Sequence, residues 1–154
     1  MRINDILRPD MVLSSVVASD KENLLKQLAE HLAQHANIGV SAEQIHTALV
    51  DRERLGSTGV GEGVAIPHAK LPGLNELTAC FGRVAAGVSF DSIDQKPVKL
   101  VFVLLVPDKS AGAHLKALAR ISRLLRNPEF RSALVEASEP STIYDIFTAE
   151  DAKH

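Results

Sequence analysis

A single cysteine, Cys80, stands in 154 residues, so no disulfide forms within the chain, and this usage suits a reducing compartment. Long apolar runs are also missing. The longest, Leu100 to Val106, is far short of the roughly 20 residues that a membrane helix needs. The opening stretch MRINDILRPDMV breaks every apolar run with Asp5, Arg8 or Asp10, which is not the pattern of a signal peptide. Neither charge dominates: Lys and Arg number 17 against 19 Asp and Glu, a formal net charge of −2. That balance gives no electrostatic footprint for nonspecific nucleic-acid binding. Internal repeats, low-complexity segments and linkers are absent. These absences predict a soluble cytoplasmic protein with no membrane insertion and no nucleic-acid partner.

What remains is ordinary globular material, 45% hydrophobic and 23% charged, enough for one domain with a real core over 1–154. Ser19-x-x-Glu22 reads as a capping box opening a helix to about Ala36, with Leu24, Leu25, Leu28 and Leu32 as its buried stripe. Ser41-x-x-Gln44 opens a second helix, with Gly56 as its stop. Short strands are predicted at Val64–Ile66 and Thr78–Ala86, and a central strand, buried on both faces, at Leu100–Val106. Asp108 or Ser110 is the expected cap of a long helix to about Arg126. Asn127-Pro128 breaks it and starts another, to about Ala137, and a last helix begins near Ser141. Interleaved helices and strands predict one α/β domain with helices covering a sheet.

The unusual stretch is GSTGVGEGVAIPHAK, Gly56 to Lys70, with glycines at 56, 59, 61 and 63. It is not a P-loop, since no Gly-Lys pair occurs, and its glycine spacing is not GxGxxG. Neither GxSxG nor HExxH is present. Glycine-rich turns can still gather backbone N–H groups into a nest for an anion, although a plain flexible connection is the commoner use. Pro67 pushes Ile66 toward the extended region, so His68 is expected at the end of a strand, where α/β proteins place ligand crevices. His114 falls in register with Leu118, Ile121 and Leu125, on the inward face of its helix near the N-terminus. Arg52 falls in register with Ile45, Leu49 and Leu55. A guanidinium there needs a partner: a carboxylate, the last carbonyls of its own helix, or an anion beside the glycine loop. Taken singly, each of these residues is as readily structural. Together, two inward imidazoles, a guanidinium and an anion-friendly loop suggest phosphoryl chemistry on histidine. Nothing recognisable binds ATP or Mg²⁺, so no cofactor is expected and the phosphoryl group would come from another protein.

His31 and His35 stand four apart on one helix and read as a polar edge rather than a metal site. His46 and His154 read as surface residues. Lys116, Arg120, Arg123 and Arg126 read as a basic stripe, solvated or docking an acidic partner.

Arg52 to His68, RERLGSTGVGEGVAIPH, resembles the active-site signature of enzyme IIA domains of the fructose/mannitol class in the bacterial phosphoenolpyruvate-dependent phosphotransferase system. The resemblance extends over nearly the whole chain and is greatest to the nitrogen-regulatory branch. It implies a mixed sheet of about five strands sandwiched between helices. It implies His68 as phosphoryl acceptor, His114 as supporting histidine and Arg52 as a phosphoryl contact. Ser57 and Thr58, with Gly59 and Gly61 of the loop, would lie beside the bound group. The implied donor is an HPr-like phosphocarrier, and the implied role is control of nitrogen, carbon or potassium metabolism through regulatory target proteins. The alternative is a sugar-specific carrier that passes the group to a IIB domain for uptake.

Overall fold

The computed structural model describes all residues from Met1 to His154. In chain order the elements are β1 (Val12–Leu13), α1 (Lys21–His35), α2 (Ala42–Arg54), β2 (Gly59–Gly61), β3 (Val64–Ala65), β4 (His68–Leu71), β5 (Thr78–Val88), β6 (Val98–Pro107), α3 (Ala113–Arg126), α4 (Pro128–Glu136) and α5 (Pro140–Asp151). Two single 3-10 turns, Ile3–Asp5 and Pro9–Met11, precede β1.

The apolar run becomes β6, the centre of a mixed six-stranded sheet in the order β1-β5-β6-β3-β2, with β4 also on β6. β5 runs antiparallel to β6, whereas β3 and β4 run parallel to it along one track. The register does not slip between them: Ala65 faces Val101 and His68 faces Leu104. Side chains therefore alternate continuously, and Val64, Ile66 and His68 share the face of Leu100, Phe102 and Leu104. That face is covered by the last helices. Phe147 of α5 meets Phe81 and Phe102 with ring centres 4.9 and 5.7 Å apart, and meets Phe130 of α4 at 5.2 Å. On the opposite face, a Cβ at Gly82 would lie 3.2 Å from Leu28 of α1, so glycine is what lets that helix sit close. The stripe Leu24, Leu25, Leu28 and Leu32 is fully buried there, and each such side chain contributes about 1.5–3 kcal/mol. No helix is long and apolar enough to cross a membrane.

Two helix starts differ from expectation. Asp20, not Ser19, caps α1: its carboxylate accepts the Asn23 N–H at 2.7 Å, while Asn23 Oδ1 accepts the Ser19 N–H. An aspartate one residue on competes for the same free N–H groups and takes them. α3 begins later than either Asp108 or Ser110 would dictate, at a Gly112 cap with φ 104 and no side-chain bond. The Ser41–Gln44 capping box of α2 forms in full, and Asn127 caps α4 ahead of Pro128.

Candidate functional site

The glycine loop folds into a hairpin rather than a loose connection. β2 pairs antiparallel with β3, turning through Glu62 (φ 56) and Gly63 (φ 77). Gly59 lies in extended backbone against buried Ser92, which a Cβ would strike. Most expected nest donors are already paired. The Thr58 N–H donates to Glu53 Oε1 (3.0 Å), the Gly59 N–H to Ser57 Oγ (3.0 Å) and the Glu62 N–H to Asp94 Oδ2 (2.9 Å). Ser57 Oγ in turn donates to the Phe90 carbonyl at 2.8 Å, and the buried Thr58 hydroxyl donates to Glu53.

His68 does not end a strand; it opens β4 directly after Pro67. The proline has no N–H, but its carbonyl accepts the Leu104 N–H at 2.9 Å, so the track on β6 continues through it. β2 covers β3 and stops before β4, so β6 is the one strand that pairs with β4. The half-buried ring places Nδ1 2.8 Å from the Ile66 carbonyl. A carbonyl only accepts, so Nδ1 carries the proton. Nε2 is then the nitrogen with the free lone pair, and it has no protein partner.

His114 lies in the first turn of α3, half-buried, with Nδ1 3.2 Å from Ser110 Oγ. Ser110 thus meets the histidine ring instead of capping the helix. α3 lies over the His68 face: Ser122, Leu125 and Arg126 line one cleft with Val64 and Ile66. The chain returns along α3 after parallel β6, so moving from Ile66 to His68 moves toward the α3 N-terminus and His114. The two rings share no hydrogen bond. Arg52 arrives from the other layer. Residues from Ser41 to Asp51 share a cleft with Lys70 and Leu71, so α2 packs beside β4. Arg52 Nη1 donates to the Gly56 carbonyl at 2.9 Å, a carbonyl just past its own helix. Leu55, placed by spacing on the buried stripe, is instead 84% exposed, because the helix tightens at Arg54 and the period no longer holds.

Sequence spacing missed Glu53. Its side chain is 5% exposed, and it accepts from Lys21 Nζ at 2.8 Å besides both Thr58 donors. The signal was local: an acidic residue at the C-terminal end of a helix is misplaced with respect to the dipole unless something pairs it. Elsewhere, His31 Nε2 donates to the Asp10 carbonyl at 2.8 Å, with its ring 4.4 Å from that of His35. His46 is half-buried rather than on the surface, and its Nε2 is enclosed without a partner. Arg120 leaves the basic stripe to pair with buried Asp151 at 2.5 Å, while Lys116, Arg123 and Arg126 remain exposed.

A hairpin signature leading to a strand-borne histidine, faced by a helix carrying a second one, is the arrangement of a phosphotransferase-system IIA domain. Residues 5–150 match the family described as phosphoenolpyruvate-dependent sugar phosphotransferase system, EIIA 2, and the chain belongs to that family. It is 38% identical over 152 residues to a nitrogen regulatory protein of Bradyrhizobium diazoefficiens, covering 99% of this chain and 98% of the relative. The nitrogen regulatory protein IIA-Ntr of Neisseria meningitidis has a similar structure, with a TM-score of 0.89, 33% identity, and coverage of 95% of this chain and 99% of that one. The fructose-specific EIIABC component of Bacillus subtilis is 33% identical over 98% of this chain, which spans 24% of that protein.

Proposed function

We propose that the protein is a phosphohistidine carrier of the nitrogen-related phosphotransferase system, accepting a phosphoryl group on His68 from an HPr-like donor. The observation that carries this reading is the His68 ring, its Nδ1–H held by the Ile66 carbonyl and its Nε2 free of any protein partner and not enclosed. The Nε2 lone pair attacks phosphorus as the donor's bond to phosphorus breaks, so the phosphoryl group changes carriers without ATP. Arg52 exchanges the Gly56 carbonyl for a phosphoryl oxygen, a charge-assisted contact. With the Ser110 hydroxyl donating to Nδ1, His114 is left with an Nε2–H to offer a second phosphoryl oxygen. Ser57, Thr58, Gly59 and Gly61 form the wall beside the group. Exposed Leu55, Val60 and Leu115 offer apolar contact around the site for a protein donor.

Kinship with nitrogen regulatory proteins supports regulation through partner contacts. The Bacillus subtilis relative favours the other reading, delivery to a IIB domain for sugar uptake, and transfer to such a domain in vitro separates the two. Acceptance itself is tested with phosphoenolpyruvate, enzyme I and the HPr-like partner. Labelling of wild type and none of His68→Ala is expected, with an acid-labile, alkali-stable adduct. Label persisting in folded His68→Ala overturns the assignment.

A further inference from the structure

The buried carboxylate of Glu53 is linked to the acceptor ring by hydrogen bonds that meet at the backbone of Thr58 and of Ile66. Lys21 Nζ lies 2.8 Å from Glu53 Oε1 and 4.5 Å over the Phe90 ring. Glu53 accepts both the N–H and the hydroxyl of Thr58. The Thr58 carbonyl accepts the Ile66 N–H at 3.0 Å. The Ile66 carbonyl accepts His68 Nδ1–H at 2.8 Å. We propose that Glu53 is a positioning residue for phosphoryl transfer: by holding Thr58, and through it the backbone of Ile66, it fixes the tautomer and direction of the His68 ring. This rests on His68 being the acceptor.

The physical case is one of accounting for donors. Three donors converge on Glu53: an ammonium, an amide N–H and a hydroxyl. A carboxylate has acceptor sites for all three, whereas a carboxamide has one acceptor oxygen and brings two donors of its own. Thr58 is only 5% exposed, so water does not readily replace the lost bond. Ile66 is held on both sides, its N–H by the Thr58 carbonyl and its own carbonyl to His68, so a shift of Thr58 moves the residue whose carbonyl holds Nδ1–H. A nucleophile displaced by about 1 Å loses up to about 100-fold in rate.

The test compares Glu53→Gln and Thr58→Val with wild type, using Thr58→Ser as the conservative control. Two quantities are read: ring nitrogen shifts of His68 by NMR in the unphosphorylated protein, and the rate of phosphoryl acceptance. Wild type and Thr58→Ser should show the Nδ1–H tautomer. Glu53→Gln should mix in the Nε2–H form and accept more slowly, by about 10- to 100-fold. The Glu53→Gln, Thr58→Val double variant should be no worse than the poorer single one, because both cut one link. Unchanged ring shifts and rate in a folded Glu53→Gln protein would overturn the proposal. So would a loss of thermal stability with the tautomer intact, which a merely structural ion pair would give. Should Glu53→Gln fail to fold, Thr58→Val alone decides by the same two readouts. A wild type that accepts no phosphoryl group would refute the carrier reading, while the tautomer comparison would still decide whether Glu53 sets the ring.

Discussion

In the proposed transfer His68 depends on one hydrogen bond, and that bond could not be read from spacing. Pro67 beside it announced a fixed backbone, but the partner of Nδ1 is a carbonyl two residues back, set by the path of the chain over β6. Arg52 was legible as a guanidinium in need of a partner; that the partner is the Gly56 carbonyl depends on how the helix ends. Glu53 was illegible because its three donors come from α1 and the loop, and only folding brings them to it. Arg52→Ala should slow phosphoryl acceptance by about 100- to 1,000-fold, the usual cost of removing one donor to the reacting oxygens. Arg54→Ala is the matched control: its guanidinium is exposed and meets only Asp51, so equal effects of the two would show that neither touches the phosphoryl group. His114→Ala should still accept, yet hold the group less well. Loss of one bond to the phosphoryl anion, about 1.5–3 kcal/mol, would appear as a smaller phosphorylated fraction at equilibrium. An unchanged fraction would reduce His114 to a packing residue.

Among the elements, helices were read best, because the capping box of α2 and the leucine stripe of α1 are local signals. The hairpin was read worst. Four glycines suggested freedom, but β2 and β3 are fastened by side chains remote in sequence: Asp94 to the Glu62 N–H, and Ser57 to the Phe90 carbonyl. The N–H groups of Glu62 and Lys96 hold the Asp94 carboxyl below its ordinary value of 3.8. A carboxylate whose folded value is depressed contributes its stabilisation in full above the unfolded value and loses it as pH falls through the folded one. The hairpin turn should therefore stay fastened at neutral pH and loosen only in acid. The Glu62 amide shift should titrate with a midpoint below 3.8, and a midpoint at or above that value would show the clasp is not formed in solution.

At the scale of the whole molecule, sequence gave the layering and missed what ties the layers together. Buried Asp151, the last residue of α5, accepts the Ile3 N–H at 2.6 Å and Arg120 Nε at 2.5 Å, while its carbonyl accepts from Arg2 at 3.0 Å. One carboxylate thus joins the first turn of the chain, its last helix and the helix that carries His114. A charge stripe on α3 is visible in sequence, but that Arg120 turns inward to this partner is not. Asp151→Ala leaves Arg120, whose side chain is 17% exposed, without its partner. Denaturant unfolding should show a loss of about 3–5 kcal/mol, whereas a change below 1 kcal/mol would mean that water readily replaces the pair.

The proposed carrier role requires that the fold present Nε2 of His68 as the acceptor. The most direct measurement is NMR on nitrogen-15-labelled protein phosphorylated through the HPr-like donor, reading which ring nitrogen couples to phosphorus. One phosphohistidine, at His68, with phosphorus on Nε2 and Nδ1 still protonated, is the predicted result. Phosphorus on Nδ1, which the Ile66 carbonyl occupies here, or on any other residue would contradict it.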